Sequence, residues 1–342
     1  MKKQIQQTGL MAIIFAAFLA SSPAISAAAE PDDYESDNSY DTANIIILNS
    51  DTPQPHNFHE AGDQDWVKFF GLAGKAYHIT ASNTGNADII IRLCGTDGRT
   101  VLKKKDGGLE GEDESLSSDP LPQDGIFYVM LSDVSAASDE DKGYELTALL
   151  SEAPQAVPFD GSVRDAFSDN PLGDTMIRST QNFTALSENG DGAFVMYHEP
   201  LAEADTFSLK EDAVTLTARV PGYDIFRRLA FMLEGAIRVL PDDGDTPGTA
   251  RAGLRVTRED TVQASDLIEW DGVIELLPAI IGDINSDRTT NLADAIIALK
   301  VLAGRDAGTD VRPYYATSGA DANGNGQIGL EEMIHILGHA GR

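Results

Sequence analysis

Short apolar runs dominate the first half of the chain. "DWVKFFGL", "AYHITASN", "ADIIIRLCG", "GIFYVMLSD" and "GYELTALL" alternate or cluster their hydrophobic positions, with Gly, Asn and Asp between them. Successive strand side chains point to opposite faces, so these runs predict strands with one buried face. Together they predict an antiparallel β-sandwich over residues 31–150. "KKKDGGLEGEDESLSSDP" breaks the pattern and reads as a polar loop, and "SEAPQAVP" reads as a linker. Over 156–277 alternation returns in "FDGSV" and "TMIRST", with "ENGDG" as a hairpin-type turn. "PDDGDTPGTARAGL" reads as a flexible loop and "EWDGVIELLP" as a last strand, which predicts a second sandwich.

After Pro278 the period lengthens. Leu292, Ile296, Leu299 and Leu302 fall at helical spacing before Gly304. Leu330, Met333, Ile334 and Leu337 do the same around a stop at Gly338. The fold class expected is therefore multi-domain and mainly β: two antiparallel β-sandwiches, then a small α-helical unit at 281–340.

Each helix directly follows an acidic loop, which makes the tail an internal repeat. Calcium takes six to eight oxygen ligands from a flexible loop, at positions 1, 3, 5, 7, 9 and 12 of twelve. "DANGNGQIGLEE" supplies Asp321, Asn323, Asn325, the Gln327 carbonyl, Gly329 through water, and Glu332, which can bind through both oxygens. Gly326 takes the sharp turn, and Ile328 is placed to enter the core. The first loop offers Asp283, Asn285, Asp287, the Thr289 carbonyl, Asn291 and Asp294. It departs from the pattern at Arg288, where a side chain must adopt φ > 0 at roughly 1 kcal/mol and adds positive charge near the ion. Thr290 replaces the apolar residue at position eight. Ca2+ is expected at both loops, more tightly at the second. "RPYYATSGA" does not read as a helix before Asp321, so the arrangement is loop then helix, twice.

The 55 acidic residues against 25 basic ones give a net charge of −30. Such a chain repels phosphate backbones, which argues against nucleic-acid binding. Lys2 and Lys3, the apolar run Leu10 to Ala20 and the small residues Ala27 to Ala29 predict a secretory signal at 1–29, cleaved near Ala29. No later run is long enough to span a bilayer, so an exported protein without a membrane span is expected. Cys94 is the single cysteine, which excludes an intramolecular disulfide and reads as a buried small hydrophobe.

Three family resemblances follow from these pieces. "DYESDNSYDTAN", "GDQDWVKF", "GKAYHI", "DGIFYVMLS" and "GYELTAL", in that order, resemble the bacterial pre-peptidase C-terminal domain. That resemblance implies a calcium site at Glu35, Asp37, Asn38, Asp63 and Asp65; read alone, Asp63 and Asp65 shape a turn before Trp66. Gly161, Val163, Asp165, Pro171, Leu172, Gly192, Phe194, Gly222 and Tyr223 match the carboxypeptidase regulatory-like domain, an accessory sandwich in carbohydrate-active and surface proteins. The segment 281–340 resembles a dockerin, which implies docking onto a cohesin-type or cell-surface partner. The resemblances together imply a secreted, non-catalytic, calcium-binding modular protein, with glycan contact possible. The alternative is an extracellular hydrolase of peptides or polysaccharides, or an accessory subunit of one.

Catalytic patterns are weak. His335 and His339 stand four apart, but Ile336 holds the place where a zinc protease needs Glu. "GLAGK" is too short for a phosphate loop. His56 and His59 in "PHNFHE" could touch a metal with Glu60, without evident further partners.

Overall fold

The computed structural model describes residues 29–135, 142–151, 156–241, 261–312, 315–317 and 320–340. The expected signal segment up to residue 28 and most of "PDDGDTPGTARAGL" lie outside them. The chain is mainly β, in several sheets, with two short C-terminal helices.

The first unit carries β1 (Asn44–Ile45), β2 (Gln54–Asn57), β3 (Gln64–Gly71), β4 (Tyr77–Asn83), β5 (Ile89–Cys94), β6 (Val101–Lys105), β7 (Glu114–Ser117), β8 (Gly125–Asp133) and β9 (Gly143–Leu150). They form a sheet in the order β1-β3-β8-β5-β6 and another in the order β2-β9-β4-β7. Alternate residues of both, such as Val67, Phe69, Ile79, Ile91, Phe127 and Leu146, meet in one core. The period of two in "AYHITASN" and "GIFYVMLSD" is thus realised as one inward face. β3 is buried on both faces: on the side away from the core Phe70 packs with Leu186 of the second unit and Trp66 with Ala43 and Cys94.

The polar loop expected between β5 and β8 is instead two short strands. β6 and β7 sit at sheet ends, where hydrophobic alternation is not required and lysines protect an edge. Glu114 organises the turn between them by accepting from the Gly107 and Gly108 N–H groups at 2.6 and 2.9 Å.

The second unit carries β10 (Val157–Asp165), β11 (Met176–Ser179), β12 (Thr184–Leu186), β13 (Ala193–His198), β14 (Thr206–Ser208), β15 (Val214–Arg219), β16 (Phe226–Leu233), β17 (Ala236–Val239), β18 (Thr261–Gln263), β19 (Ile268–Trp270) and β20 (Val273–Leu276). Sheets β12-β11-β15-β16-β17-β19 and β13-β10-β20 share a core of Val163, Ile177, Phe194, Leu216, Met232 and Trp270, among others. β14 and β18 pair with each other. "EWDGVIELLP" returns as β19 and β20, as expected. "ENGDG" closes its turn through Glu188 N–H to Ala193 O at 2.7 Å. Its flanking strands, however, join different sheets, so it is a crossing between layers and no hairpin.

Neither unit is purely antiparallel. β1 runs parallel to β3, and β10 parallel to β20. A tight turn forces neighbours antiparallel; these two pairs are joined by long excursions, which leave the direction open.

In the tail, α1 (Leu292–Leu302) and α2 (Leu330–Ala340) pack on each other. Between α1 and Asp321 the described residues form two 3-10 turns, Gly308–Asp310 and Tyr315–Thr317, and no α-helix. The helical stripes do not form the core. Leu292, Ile296, Leu299, Leu302, Leu330, Ile334 and Leu337 are all exposed, and the core is Ile284, Ala295, Ile297, Ala298, Ala320 and Ile336 with Met333 and Ile328 against it. Ala295 and Ala298 lie in this shared core, so the face of α1 that carries them is the buried one.

Candidate metal centres

The two tail loops share one backbone conformation. Positions four and six have positive φ in both: Ser286 at 60° and Arg288 at 70°, Gly324 at 73° and Gly326 at 76°. In each, the first carboxylate accepts from the position-six N–H, Arg288 to Asp283 at 3.1 Å and Gly326 to Asp321 at 2.5 Å. The third residue accepts from the fifth, Asp287 N–H to Asn285 and Asn325 N–H to Asn323, both at 3.0 Å.

In the first loop, Asp283, Asp287 and Asp294 place ligand oxygens within 4.8 Å of one another. Asp294 is buried and ties the loop's ends together, accepting from Ile284 and Asn285 at its start and Asn291 at its close. With Asn291 it also forms the capping box of α1. Thr289 hydroxyl donates to Asp287 at 2.6 Å. Burial raises the Asp283 carboxyl, opposed by the Arg312 charge. In the second loop, Asn325 accepts from Gln327 N–H, and Glu332 accepts from Gly329 N–H through Oε2. Glu332 Oε1 is buried without a hydrogen-bond partner. Burial acts to raise Asp321, but the Gly326, Gly324 and Asn323 N–H groups prevail and lower it. A buried carboxylate oxygen without a donor costs free energy unless a cation or water meets it. In the first loop Asp283, Asp287 and Asp294 could hold a metal ion, and in the second Glu332 Oε1 is the buried oxygen that a cation would meet; the other expected ligands, Asn285 and Thr289 in one and Asp321, Asn323, Asn325 and Gln327 in the other, lie on the same two loops.

Arg288 does not aim at its own loop. Its Nη1 donates to Asp224 Oδ2 at 2.6 Å and to Pro278 O at 2.8 Å. Arg312 reaches the same carboxylate through Nη2 and donates from Nη1 to Asp283 O at 2.9 Å. Asp224, in the second unit's β15–β16 connection, therefore draws the Arg288 charge away from its own loop and ties the tail to the second unit, while Arg312 also stays 3.9 Å from the Asp283 carboxylate. Sequence reasoning missed Asp224; one acid among 55 carries no local signal.

A separate cluster lies at the first unit's N-terminal stretch. It brings together Glu35, Asp37, Asp63 and Asp65, four of the five residues implied by resemblance, with Asp32, His56 and His59. Asn38, the fifth, accepts from the same Gln64 N–H as Asp63, at 3.4 Å. Asp63 shapes the turn, accepting from His59 N–H and Gln64 N–H at 2.9 Å each. Asp65 does not: it is fully buried and accepts from the Tyr144 hydroxyl at 2.5 Å. Burial, reinforced by Asp37, Asp63 and Asp32 against the Tyr144 bond, pushes Asp65 up to about 9. Burial and the Glu35 charge push Asp37 up to about 7. Burial lowers His56 to about 4, against the pull of Asp32. The partners that the two histidines lacked in the sequence come from residues 32–37, and Glu60 takes no part in these clusters.

The rings of half-buried His335 and exposed His339 lie 4.2 Å apart, tilted by 33°, and belong to none of the described metal-type clusters. Among the described residues no helix is long and apolar enough to cross a membrane. No protein-family model matches the chain, and no curated protein sequence matches it.

Proposed function

We propose that this is an exported, calcium-binding docking protein whose two loop–helix repeats present a paired apolar surface to a protein partner. The observation that carries this reading is the repetition of the exposed triad. Leu292, Ile296 and Leu299 on α1 recur as Leu330, Ile334 and Leu337 on α2, at the same positions after each loop's first carboxylate. Seven large exposed hydrophobics on two short helices are costly to leave in water, and such patches mark interaction sites. The ions supply the folding: clustered carboxylates repel each other, a divalent cation offsets the repulsion, and helix alignment follows. A cohesin-type or other cell-surface protein is the proposed partner, and the two β units before the tail serve as accessory modules in the manner of the families they resemble.

The test is a calcium-dependent pull-down against a cohesin and against proteins of the producing cell's surface, using the intact protein and Ile296→Asp/Ile334→Asp. Capture that needs calcium and both isoleucines is the expected result. Capture that persists in EDTA, or that survives the double substitution, refutes the reading.

A further inference from the structure

We propose that Asp224, a residue of the second β unit, is a positioning residue for the first ion loop, and that filling this loop and docking the tail form one linked equilibrium. The inference rests on the reading of the first loop as a calcium site, and adds a control that lies outside the loop. Asp283, the loop's first ligand position, is fully buried, and two guanidinium groups stand close to it. Arg288 occupies the loop's sixth position, where its N–H donates to Asp283 Oδ2 at 3.1 Å. The buried Arg312 holds Nη1 2.9 Å from Asp283 O and 3.9 Å from Asp283 Oδ2. Both side chains end on Asp224: Arg288 Nη1 on Oδ2 at 2.6 Å, and Arg312 Nη2 on Oδ1.

Arginine keeps its charge, and two such charges beside a cation site oppose binding. Asp224 supplies the counter-charge from the neighbouring unit. It also decides a competition. With Asp224 in place, Arg312 is held by a carboxylate that is no ligand of the loop. Without it, the carboxylate left to Arg312 among the described ion pairs is that of Asp283, which then serves the guanidinium in place of the cation. The second loop carries Gly326 at its sixth position and has no side chain to send from there.

The link continues through the backbone. Pro278 O accepts from Arg288 Nη1 at 2.8 Å. The segment around Pro278 is stitched to the turn that holds Asp224. Asp224 N–H donates to Leu277 O at 2.8 Å, Ala279 N–H donates to Gly222 O at 2.9 Å, and Tyr223 bridges to Pro278. Linked equilibria change each other by the same factor. Calcium affinity of the first loop and persistence of this bridge therefore rise and fall together.

The experiment uses the full chain carrying Asp321→Ala, so that calcium calorimetry reads the first loop of the tail. The chain with both Asp283→Ala and Asp321→Ala supplies the background of binding elsewhere. Asp224→Asn is expected to weaken the first loop's site at least tenfold, and adding Arg312→Met is expected to regain at least threefold. Calcium is expected to slow hydrogen exchange of the Ala279 amide at least tenfold, and by less than twofold once Asp224→Asn or Asp283→Ala is added. Circular dichroism checks each fold, and Arg288→Met replaces Arg312→Met if the latter does not fold. Affinity untouched by Asp224→Asn overturns the proposal, because the loop then acts alone. Affinity lost and not regained overturns it too, because Asp224 is then only structural. Calcium binding that leaves Ala279 exchange unchanged overturns the linkage. These results keep the calcium reading, since the parent chain still binds. No binding above background refutes that reading, and the proposal with it.

Discussion

Replacing Asp224 by Ala leaves two guanidinium groups without their shared carboxylate. The Arg312 side chain is 2% exposed, and that of Asp224 is 19% exposed. Breaking a buried ion pair from one side costs about 3–5 kcal/mol, because the remaining charge is stranded. Partial access of water to Asp224, the Asp283 carboxylate that Arg312 keeps at 3.9 Å, and the bonds of Arg312 and Arg288 to Asp283 O and Pro278 O place the cost near the lower end, about 3 kcal/mol. At tenfold per 1.4 kcal/mol, the undocked tail becomes on the order of a hundred times more populated. Hydrogen exchange at the Ile284 and Asn285 amides in saturating calcium measures this directly, since both donate to Asp294 inside the first loop. Exchange there is expected to accelerate by that factor, with the β units unchanged. Adding Arg312→Met is expected to recover at least half of the loss, because an apolar side chain of similar length carries no stranded charge. A change below about 0.5 kcal/mol, the size of an exposed pair, refutes the anchoring argument.

Ile336→Ala removes a fully buried side chain from a small core and is expected to cost about 2–4 kcal/mol, melting the tail alone. Ile334→Ala, on the exposed stripe, is expected to leave the melting temperature within a degree or two while weakening capture of the partner; equal destabilisation by both refutes the assignment of faces. EDTA is expected to lower the helical circular dichroism, and calorimetry is expected to show Asp321→Ala losing a tighter site than Asp283→Ala; equal losses refute that order. Ser286→Gly relieves a non-glycine residue at φ 60° and is expected to stabilise the calcium-loaded tail by up to about 1 kcal/mol, read from its melting curve. In chelator, the raised carboxyls of Asp37 and Asp65 bind protons in the folded state that the unfolded chain, with its ordinary value of 3.8, has released. Stability therefore falls as pH rises from about 4, through about 7 for Asp37 and about 9 for Asp65. Asp65→Asn is expected to flatten the upper part of that fall in denaturant titrations at successive pH values; an unchanged slope counts against the burial argument. A screen on casein and common polysaccharides tests the alternative hydrolase reading, which predicts turnover.

What was legible from the chain alone was what short range controls. Alternation in "AYHITASN" and "GIFYVMLSD" determined strands, because a strand's two faces follow directly from a period of two. The twelve-residue spacing from Asp321 to Glu332 determined a loop that turns its oxygens inward, because backbone geometry over a dozen residues is local. Even the awkward positive φ at Arg288 was readable, since the repeat equates it with Gly326. Tertiary structure alone decided the rest. The leucine stripe of α1 is amphipathic in sequence, yet Ala295, Ile297 and Ala298 fill the tail core and the stripe faces water. Polar spacing in "KKKDGGLEGEDESLSSDP" concealed two edge strands, because an edge asks for backbone partners and little apolar surface. Asp224 became the counter-ion of the tail, and residues 32–37 met His56 and His59, through contacts between segments far apart in the chain. Partnership at that range depends on how sheets stack and where connections return, and no local pattern of residue types encodes it.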